Sequence, residues 1–286
     1  MQSIDHLVAG FDQQGYVLQE SLATVLFIMQ QLEKPVLLEG PPGVGKTEVA
    51  NVLAQLLDTE LIRLQCYEGL DVNAAVYEWN YQKQLLSIKI QEQSKKSEAE
   101  KEAHIFGEEF LLKRPLLKSI SASDKPPVLL IDEIDRADEE FEAFLLELLS
   151  AFQISIPEFG TIKAQHKPLV LLTSNRTREL SDALKRRCLY HWVNYPDVER
   201  EIQIIRKRLP NIELRLVEQL VEVVQHLRTL KLSKAPGVAE TLDWASALLA
   251  LGTPELTETN LEKTLGCVVK SVDDYEVARQ SLSAKS

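Results

Sequence analysis

Apolar residues along this chain fall into two kinds of run. Short, near-continuous stretches stand at Pro35-Val-Leu-Leu38, Leu61-Ile-Arg-Leu64, Val128-Leu-Leu-Ile131, Leu169-Val-Leu-Leu-Thr173 and Leu189-Tyr-His-Trp-Val193, bounded by turn formers or polar residues. Between and after them, apolar positions recur at helical spacing over 17–32, 48–57, 139–152, 197–209, 213–232, 239–251 and 259–282. Runs of four or five apolar residues suit strands buried on both faces, and the 3.6-residue period suits amphipathic helices. Strands alternating with helices predict an α/β fold: a five-stranded parallel sheet flanked by helices. No strand pattern follows residue 195, so the chain divides into an α/β core over 1–196 and an all-helical domain over 197–286.

Two segments interrupt this scheme. Residues 80–104 are polar and charge-mixed, reading as a mobile helix or a partly disordered insertion, whereas 106–120 is apolar enough to dock on the core. Together they make an insertion over about 80–120. Ile154 to Lys163 reads as two short strands around a Glu-Phe-Gly turn.

Composition narrows the class. The 286 residues are 45% hydrophobic and 26% charged, which suits a globular protein with a sizeable core. No apolar run is long enough to span a membrane, and the N-terminal stretch carries acidic residues rather than a basic leader, so a cytoplasmic protein is expected. Cys66, Cys188 and Cys267 are widely spaced, without a CxxC pair or a histidine at ligand spacing, which fits reduced thiols rather than disulfides or zinc. A formal charge of -11 lowers the expectation of nucleic-acid binding, whose affinity comes largely from neutralised phosphates. A protein partner is the better default.

Four motifs carry chemistry. In Gly40-Pro41-Pro42-Gly43-Val44-Gly45-Lys46-Thr47, the glycines let backbone N–H groups turn inward around phosphates, and the next helix, entered through Glu48, adds its positive dipole end. Lys46 is placed to reach the β- and γ-phosphates and Thr47 to ligate Mg2+. The strand before and the helix after give this motif its required context. The second motif, Val128-Leu-Leu-Ile-Asp132-Glu133-Ile-Asp135, ends an apolar strand in two carboxylates. Asp132 suits Mg2+, and Glu133 suits orienting an attacking water, because phosphoryl transfer needs positioning and charge neutralisation above all. Asp135 and Asp138 read as caps of the following helix. The third, Leu171-Leu-Thr173-Ser174-Asn175, offers Asn175 as a hydrogen-bond donor to a γ-phosphate or the lytic water. The fourth is Asp182-Ala-Leu-Lys185-Arg186-Arg187-Cys188, whose arginine pair follows Asn175 by eleven and twelve residues, just before a strand.

Taken in order, these motifs resemble the AAA+ ATPases, and within them the MoxR group. The matching segments are GPPGVGKT, LLIDEID, LLTSN, and Leu180 to Trp192, similar to the segment that bears the arginine finger in that group. Ala235 to Leu248 resembles the start of the lid in the branch linked to carbon monoxide dehydrogenase maturation (CoxD-like). The resemblance implies a homo-oligomeric ring, expected to be a hexamer, that binds ATP and Mg2+ at subunit interfaces, with Arg186 or Arg187 completing the neighbour's site. It also implies a partner containing a von Willebrand factor A domain and a metalloenzyme target to be matured. Residues 66–80 and 154–163 suit the family's insertion in the second helix and its hairpin. The chain departs from the family at the lid: the region of the usual sensor-2 arginine reads Pro236-Gly-Val-Ala-Glu240-Thr. Lys234 is the nearby cation that could substitute. Competing readings are a nucleotide-gated scaffold with little turnover, against which Glu133 argues, and a DNA-acting AAA+ motor, against which the net charge argues.

Overall fold

The computed structural model describes residues 3–91, 97–157 and 159–283. The chain begins α1 (Ile4–Gln13), α2 (Glu20–Leu32), β1 (Val36–Glu39), α3 (Lys46–Leu56), β2 (Leu61–Gln65), α4 (Val72–Val76), β3 (Tyr77–Trp79). It continues α5 (Tyr81–Gln91), α6 (Glu98–Ile105), β4 (Leu111–Lys113), α7 (Pro115–Ile120), β5 (Val128–Asp132), α8 (Glu139–Ala151), β6 (Gln153–Ile156), β7 (Gly160–Lys163), β8 (Leu169–Ser174), α9 (Asp182–Arg187) and β9 (Leu189–Trp192). Helices close the chain: α10 (Val198–Arg208), α11 (Leu214–Thr229), α12 (Val238–Ala250), α13 (Glu258–Thr264) and α14 (Val272–Ser283).

The sequence folds into two compact units, one of residues 24–38 and 53–191, the other of residues 1–23, 39–52 and 192–286. In the first, the predicted five strands form one parallel sheet in the order β2-β5-β8-β1-β9. Register sets Gln65 of β2 opposite Asp132 of β5, and Val128 opposite Leu169 of β8. Inner strands β1 and β5 are buried along their whole length, whereas the edge strand β2 alternates buried and exposed residues. That difference is why β1, β5 and β8 read as continuous apolar runs while Arg63 interrupts β2. Leu129, Ile131, Val170 and Leu172 share a core with Phe141, Leu145 and Leu148 of α8. Asp138 caps α8, accepting the Phe141 N–H at 2.8 Å, and Phe152 ends the helix in the left-handed region.

The apolar end of the insertion does dock: Phe110, Leu116, Leu117 and Ile120 belong to the same core. Its polar part contains α5 and α6, with 92–96 lying outside the described residues. Residues 66–80 hold α4 and β3, and β3 pairs antiparallel with β4, Trp79 opposite Leu111. The expected hairpin is β6 and β7, Ile156 opposite Gly160, with Glu158 of its turn outside the described residues.

In the second unit, α10 to α14 build their own core around Leu220, Val221, Val224, Trp244 and Leu248. The pattern over 259–282 is not one helix: α13 ends in a 3-10 turn, Leu265–Cys267, and α14 restarts with Ser271 Oγ accepting the Asp274 N–H at 3.1 Å. The apolar spacing survives the break, which is why periodicity alone reads through it. Helix α1, not expected from the sequence, is capped by Ser3, whose Oγ accepts the His6 N–H at 3.1 Å.

A buried ion pair ties this unit together. Both oxygens of Glu201, which is fully buried, accept from Arg228 at 2.6 and 2.7 Å, and they also take Gln225 Nε2 and the Thr241 hydroxyl, each at 2.9 Å. Arg228 Nε donates onward to the Pro236 carbonyl at 2.9 Å. Removing one member of such a pair leaves an uncompensated buried charge, a loss of about 3–5 kcal/mol. Glu201→Ala should therefore lower the chemical-denaturation midpoint of the helical region strongly, while Glu218→Ala on the same region's surface should leave it near wild type.

Candidate functional site

Each unit carries part of the predicted chemistry. In the unit containing 39–52, β1 runs into the loop 40–45 and α3 starts at Lys46. A Cβ on Gly40 would lie 2.2 Å from the Val193 carbonyl oxygen, and the Val193 N–H is held on the Glu39 carbonyl at 2.7 Å. No side chain fits there. The backbone N–H groups of Gly43, Val44 and Gly45 donate no hydrogen bond among the described residues. They form an open row of donors at the start of an 11-residue helix, the donor set a phosphate requires. Lys46 is buried, its Nζ donating to the Gly40 and Pro41 carbonyls at 2.7 Å each. Pro42 is exposed and Val44 buried, and Thr47 is half-buried on the first turn of α3. The Glu48 carboxylate is engaged by Arg208 at 2.6 Å and Asn51 at 2.9 Å.

The same unit brings two features that motif reading missed. Tyr16 stands behind Gly45, its ring 3.7 Å from where a Cβ would be; burial pushes its hydroxyl up to about 12. The second is the start of α12. A Cβ on Gly237 would meet Gly43 Cα and the Pro42 carbonyl oxygen, each at 2.8 Å, and the Ala239 N–H donates to the Gly43 carbonyl at 3.1 Å. Two glycines thus let two backbones touch. Glu240 caps α12 by accepting the Gly237 N–H at 3.0 Å, and Lys234 pairs with it at 3.4 Å. Where the family usually places a sensor-2 arginine, the segment offers backbone and a carboxylate. The signal in the sequence was the glycine at 237 itself.

In the other unit, Asp132 ends β5 with 3% exposure. Its Oδ1 accepts the Thr173 hydroxyl at 2.5 Å, and its Oδ2 accepts Arg63 Nε at 3.1 Å and an Arg63 terminal nitrogen at 2.5 Å. Thr173 Oγ in turn accepts the Glu133 N–H at 2.9 Å. Glu133 adopts a left-handed conformation, φ 54°, where the strand ends. Its carboxylate meets Asn175 Nδ2 at 3.4 Å and Arg136 at 2.9 Å. Asp132, Glu133 and Asn175 are therefore gathered at the C-terminal ends of β5 and β8, and Thr173 connects them. Hard oxygen ligands suit Mg2+, and the Asp132 carboxylate and Thr47 hydroxyl are of that kind.

Asp135 does not cap the following helix. It is buried, and its Oδ2 accepts both the Thr177 N–H at 2.8 Å and the Thr177 hydroxyl at 2.7 Å, bracing the loop after Asn175. Buried Glu142 braces the same loop by pairing with Arg178 at 2.5 Å and accepting the Ser181 N–H at 2.9 Å. Arg186 and Arg187 are both exposed at the end of α9. Arg187 Nε donates to the Ser150 hydroxyl at 2.8 Å, whereas Arg186 makes no ion pair or side-chain hydrogen bond among the described residues. Both line an open pocket of about 370 Å³ together with Lys34, Lys167 and Glu33, the last paired with Lys167 at 2.5 Å.

Two outcomes follow from this geometry. Gly237→Ala forces a methyl into backbone, an overpacking cost of about 1–3 kcal/mol. It should loosen the loop contact and weaken nucleotide binding by about tenfold in a fluorescent-nucleotide titration. Separately, burial pushes the Cys66 thiol up to about 12, and the Asp132, Asp135 and Glu133 carboxylates add to the shift. The folded state thus keeps a proton that the unfolded chain loses near the ordinary 9.0, so this group leaves stability unchanged below that pH and lowers it as pH rises towards 12. Iodoacetamide should label Cys66 only after denaturation, as read by mass spectrometry.

Comparison with known proteins agrees with the motifs. The chain is similar to an uncharacterized protein of Staphylococcus aureus (strain bovine RF122 / ET3-1), 29% identical over 226 residues, covering 77% of each chain. A counterpart from strain NCTC 8325 / PS 47 matches at the same identity and coverage. Two variants of RuvB from Thermotoga maritima share the fold with a TM-score of 0.51, at 19% and 20% identity. They cover 90% of this chain, and 70% and 69% of theirs. The model of the AAA domain (dynein-related subfamily) matches residues 35–188. That span holds the loop, both carboxylates, Asn175 and the arginine pair, and the chain belongs to this family of AAA+ ATPases.

Proposed function

We propose that the protein is a Mg-dependent ATPase of the MoxR type that works as a ring, a hexamer, and remodels or activates a protein target in the cytoplasm. Its partner in this reading contains a von Willebrand factor A domain, and its target is a metalloenzyme undergoing maturation. The observation that carries the ATPase reading is the open row of N–H donors at Gly43, Val44 and Gly45 in a chain that also ends β5 in Asp132-Glu133. The subgroup reading is supported by Leu180 to Trp192 and Ala235 to Leu248, which resemble MoxR segments. Residues 1–196 serve as the nucleotide-binding core and 197–286 as the lid.

The residues divide the work. Backbone N–H groups of the loop and the Lys46 ammonium bind the phosphates of ATP, substituting for water on charged oxygens. Thr47 and Asp132 hold Mg2+, which supplies charge neutralisation on the phosphates. Glu133 accepts a hydrogen bond from the attacking water and aligns it, and Asn175, bonded to Glu133, fixes that carboxylate. Arg186 is the finger for the neighbouring subunit, since Arg187 is already tied to Ser150. A trans-acting arginine contributes about 10³–10⁵ in rate.

A protein target is supported by α5, on which Tyr81, Leu85, Leu86, Ile88 and Ile90 are all exposed. Apolar groups clustered on a surface mark interaction sites. RuvB of Thermotoga maritima is a Holliday junction branch migration motor, but this chain's charge of -11 disfavours DNA as its own track.

Glu133→Gln should bind ATP with wild-type affinity yet lose nearly all phosphate release; unchanged turnover would refute the role of Glu133. Arg186→Ala subunits mixed with Lys46→Ala subunits should regain turnover that neither has alone. If no mixture ratio restores phosphate release, the trans arrangement fails.

A further inference from the structure

None of the four motifs calls for Arg63, yet it grips the carboxylate that the ATPase reading assigns to the metal. It lies on the edge strand β2 two residues before Gln65, which pairs in register with Asp132. Its guanidinium spans Asp132 Oδ2 with two nitrogens at 3.1 and 2.5 Å, and one of them also donates to Gln65 Oε1 at 2.6 Å. The two partners differ sharply in depth: the Asp132 side chain is 4% exposed and the Arg63 side chain 52%. A carboxylate so deeply placed requires a counter-charge, and Arg63 provides one through charge-assisted bonds from two nitrogens to one oxygen.

A divalent cation at Asp132 changes that balance. A carboxylate offers about four lone-pair positions. The Thr173 hydroxyl and the two Arg63 nitrogens already use at least three of them. A metal ion within ligand distance of Oδ2 also repels the guanidinium, as two positive charges about 4 Å apart do even at a partly solvated site. Asp132 is fixed by its strand and by Thr173. Arg63 is half in water on an edge strand, with Gln65 beside it as an alternative acceptor, so Arg63 is the partner that moves.

We propose that Arg63 is a placeholder counter-ion for the Asp132 metal site, neutralising and aligning the carboxylate while the metal is away and yielding when Mg2+ arrives. The proposal rests on the reading of Asp132 as a Mg2+ ligand. Arg63 is a positioning residue here and touches no reacting atom. Its retention without metal holds the site assembled, and its displacement sets the metal's apparent affinity below what Asp132 alone would give. Because Arg63 belongs to β2, arrival of the metal is also felt at the edge of the sheet.

The test measures binding and stability rather than turnover. Mn2+ serves as the paramagnetic probe, titrated into full-length protein with saturating ADP and followed by electron paramagnetic resonance. Arg63→Gln, which keeps a donor but removes the charge, should tighten Mn2+ binding by about three- to tenfold, the scale of one ordinary net hydrogen bond released from competition, since Arg63 is half in water. The same variant should lower the melting temperature without metal and show a larger rise on metal addition than wild type. A merely structural arginine would lower both melting temperatures equally and leave Mn2+ affinity unchanged or weaker, and either result overturns the proposal. If Arg63→Gln does not fold, Arg63→Lys, which keeps the charge but loses the two-nitrogen grip, should show a smaller tightening of the same sign; no tightening overturns the proposal equally. Asp132→Asn separates the two readings: it should weaken Mn2+ at least tenfold, and if it does not, the assignment of Asp132 as ligand falls first.

Discussion

Asp132 lies almost entirely out of water at the end of an inner strand, where an unpaired carboxylate costs several kcal/mol. Much of the local architecture of the sheet unit answers that cost. Thr173, on the adjacent β8, donates its hydroxyl to one oxygen, and Arg63, on the other neighbour β2, takes the second. The same threonine oxygen then accepts the Glu133 N–H, so the turn at Glu133 rests on the residue that hydrogen-bonds Asp132. Asn175 follows Thr173 by two residues and reaches Glu133 at 3.4 Å. Strand order, rather than any one motif, makes this cluster: β2 and β8 flank β5, and each contributes a side chain that reaches Asp132.

Further buried acids extend the scheme. Asp135 and Glu142 both turn towards the segment after Asn175 and bind its backbone and side chains, giving it two independent anchors. A loop held at two places keeps Asn175 fixed at the end of β8. In the helical unit, Glu201 and Arg228 do similar work at another location. Arg228 joins the core pair to the Pro236 carbonyl, one residue before the glycine that meets Gly43. The contact between the α12 start and the phosphate loop is thereby stabilised from the interior of the helical region. A small residue at that junction, instead of a long cation, makes the contact one of backbone against backbone, which a single methyl group disrupts.

How much of this was legible in the sequence depends on the range of the interaction involved. The five strands, the long helices and the hairpin are set by local pattern, and all could be read from apolar spacing and turn chemistry. The loop's phosphate chemistry was equally legible, since consecutive N–H groups on a glycine-rich turn before a helix need no distant partner. Asp132 and Glu133 could be named from their place at the end of an apolar run. Local pattern failed where a break keeps the same period, as between α13 and α14, or where a polar residue has a choice of partners, as with Asp135.

The sequence by itself determined a P-loop, an acid-ended strand and a parallel α/β sheet, because those follow from short-range sterics and hydrophobic periodicity. Only the tertiary structure decided that Arg63 and Thr173 share the Asp132 carboxylate, that Gly237 meets Gly43, and that Ser150 takes Arg187 rather than Arg186. The physical reason is that these pairings join residues far apart in the chain. Neutralising a buried charge, or bringing two backbones into contact, depends on which strands and helices become neighbours, and that is fixed by packing after the local elements have formed.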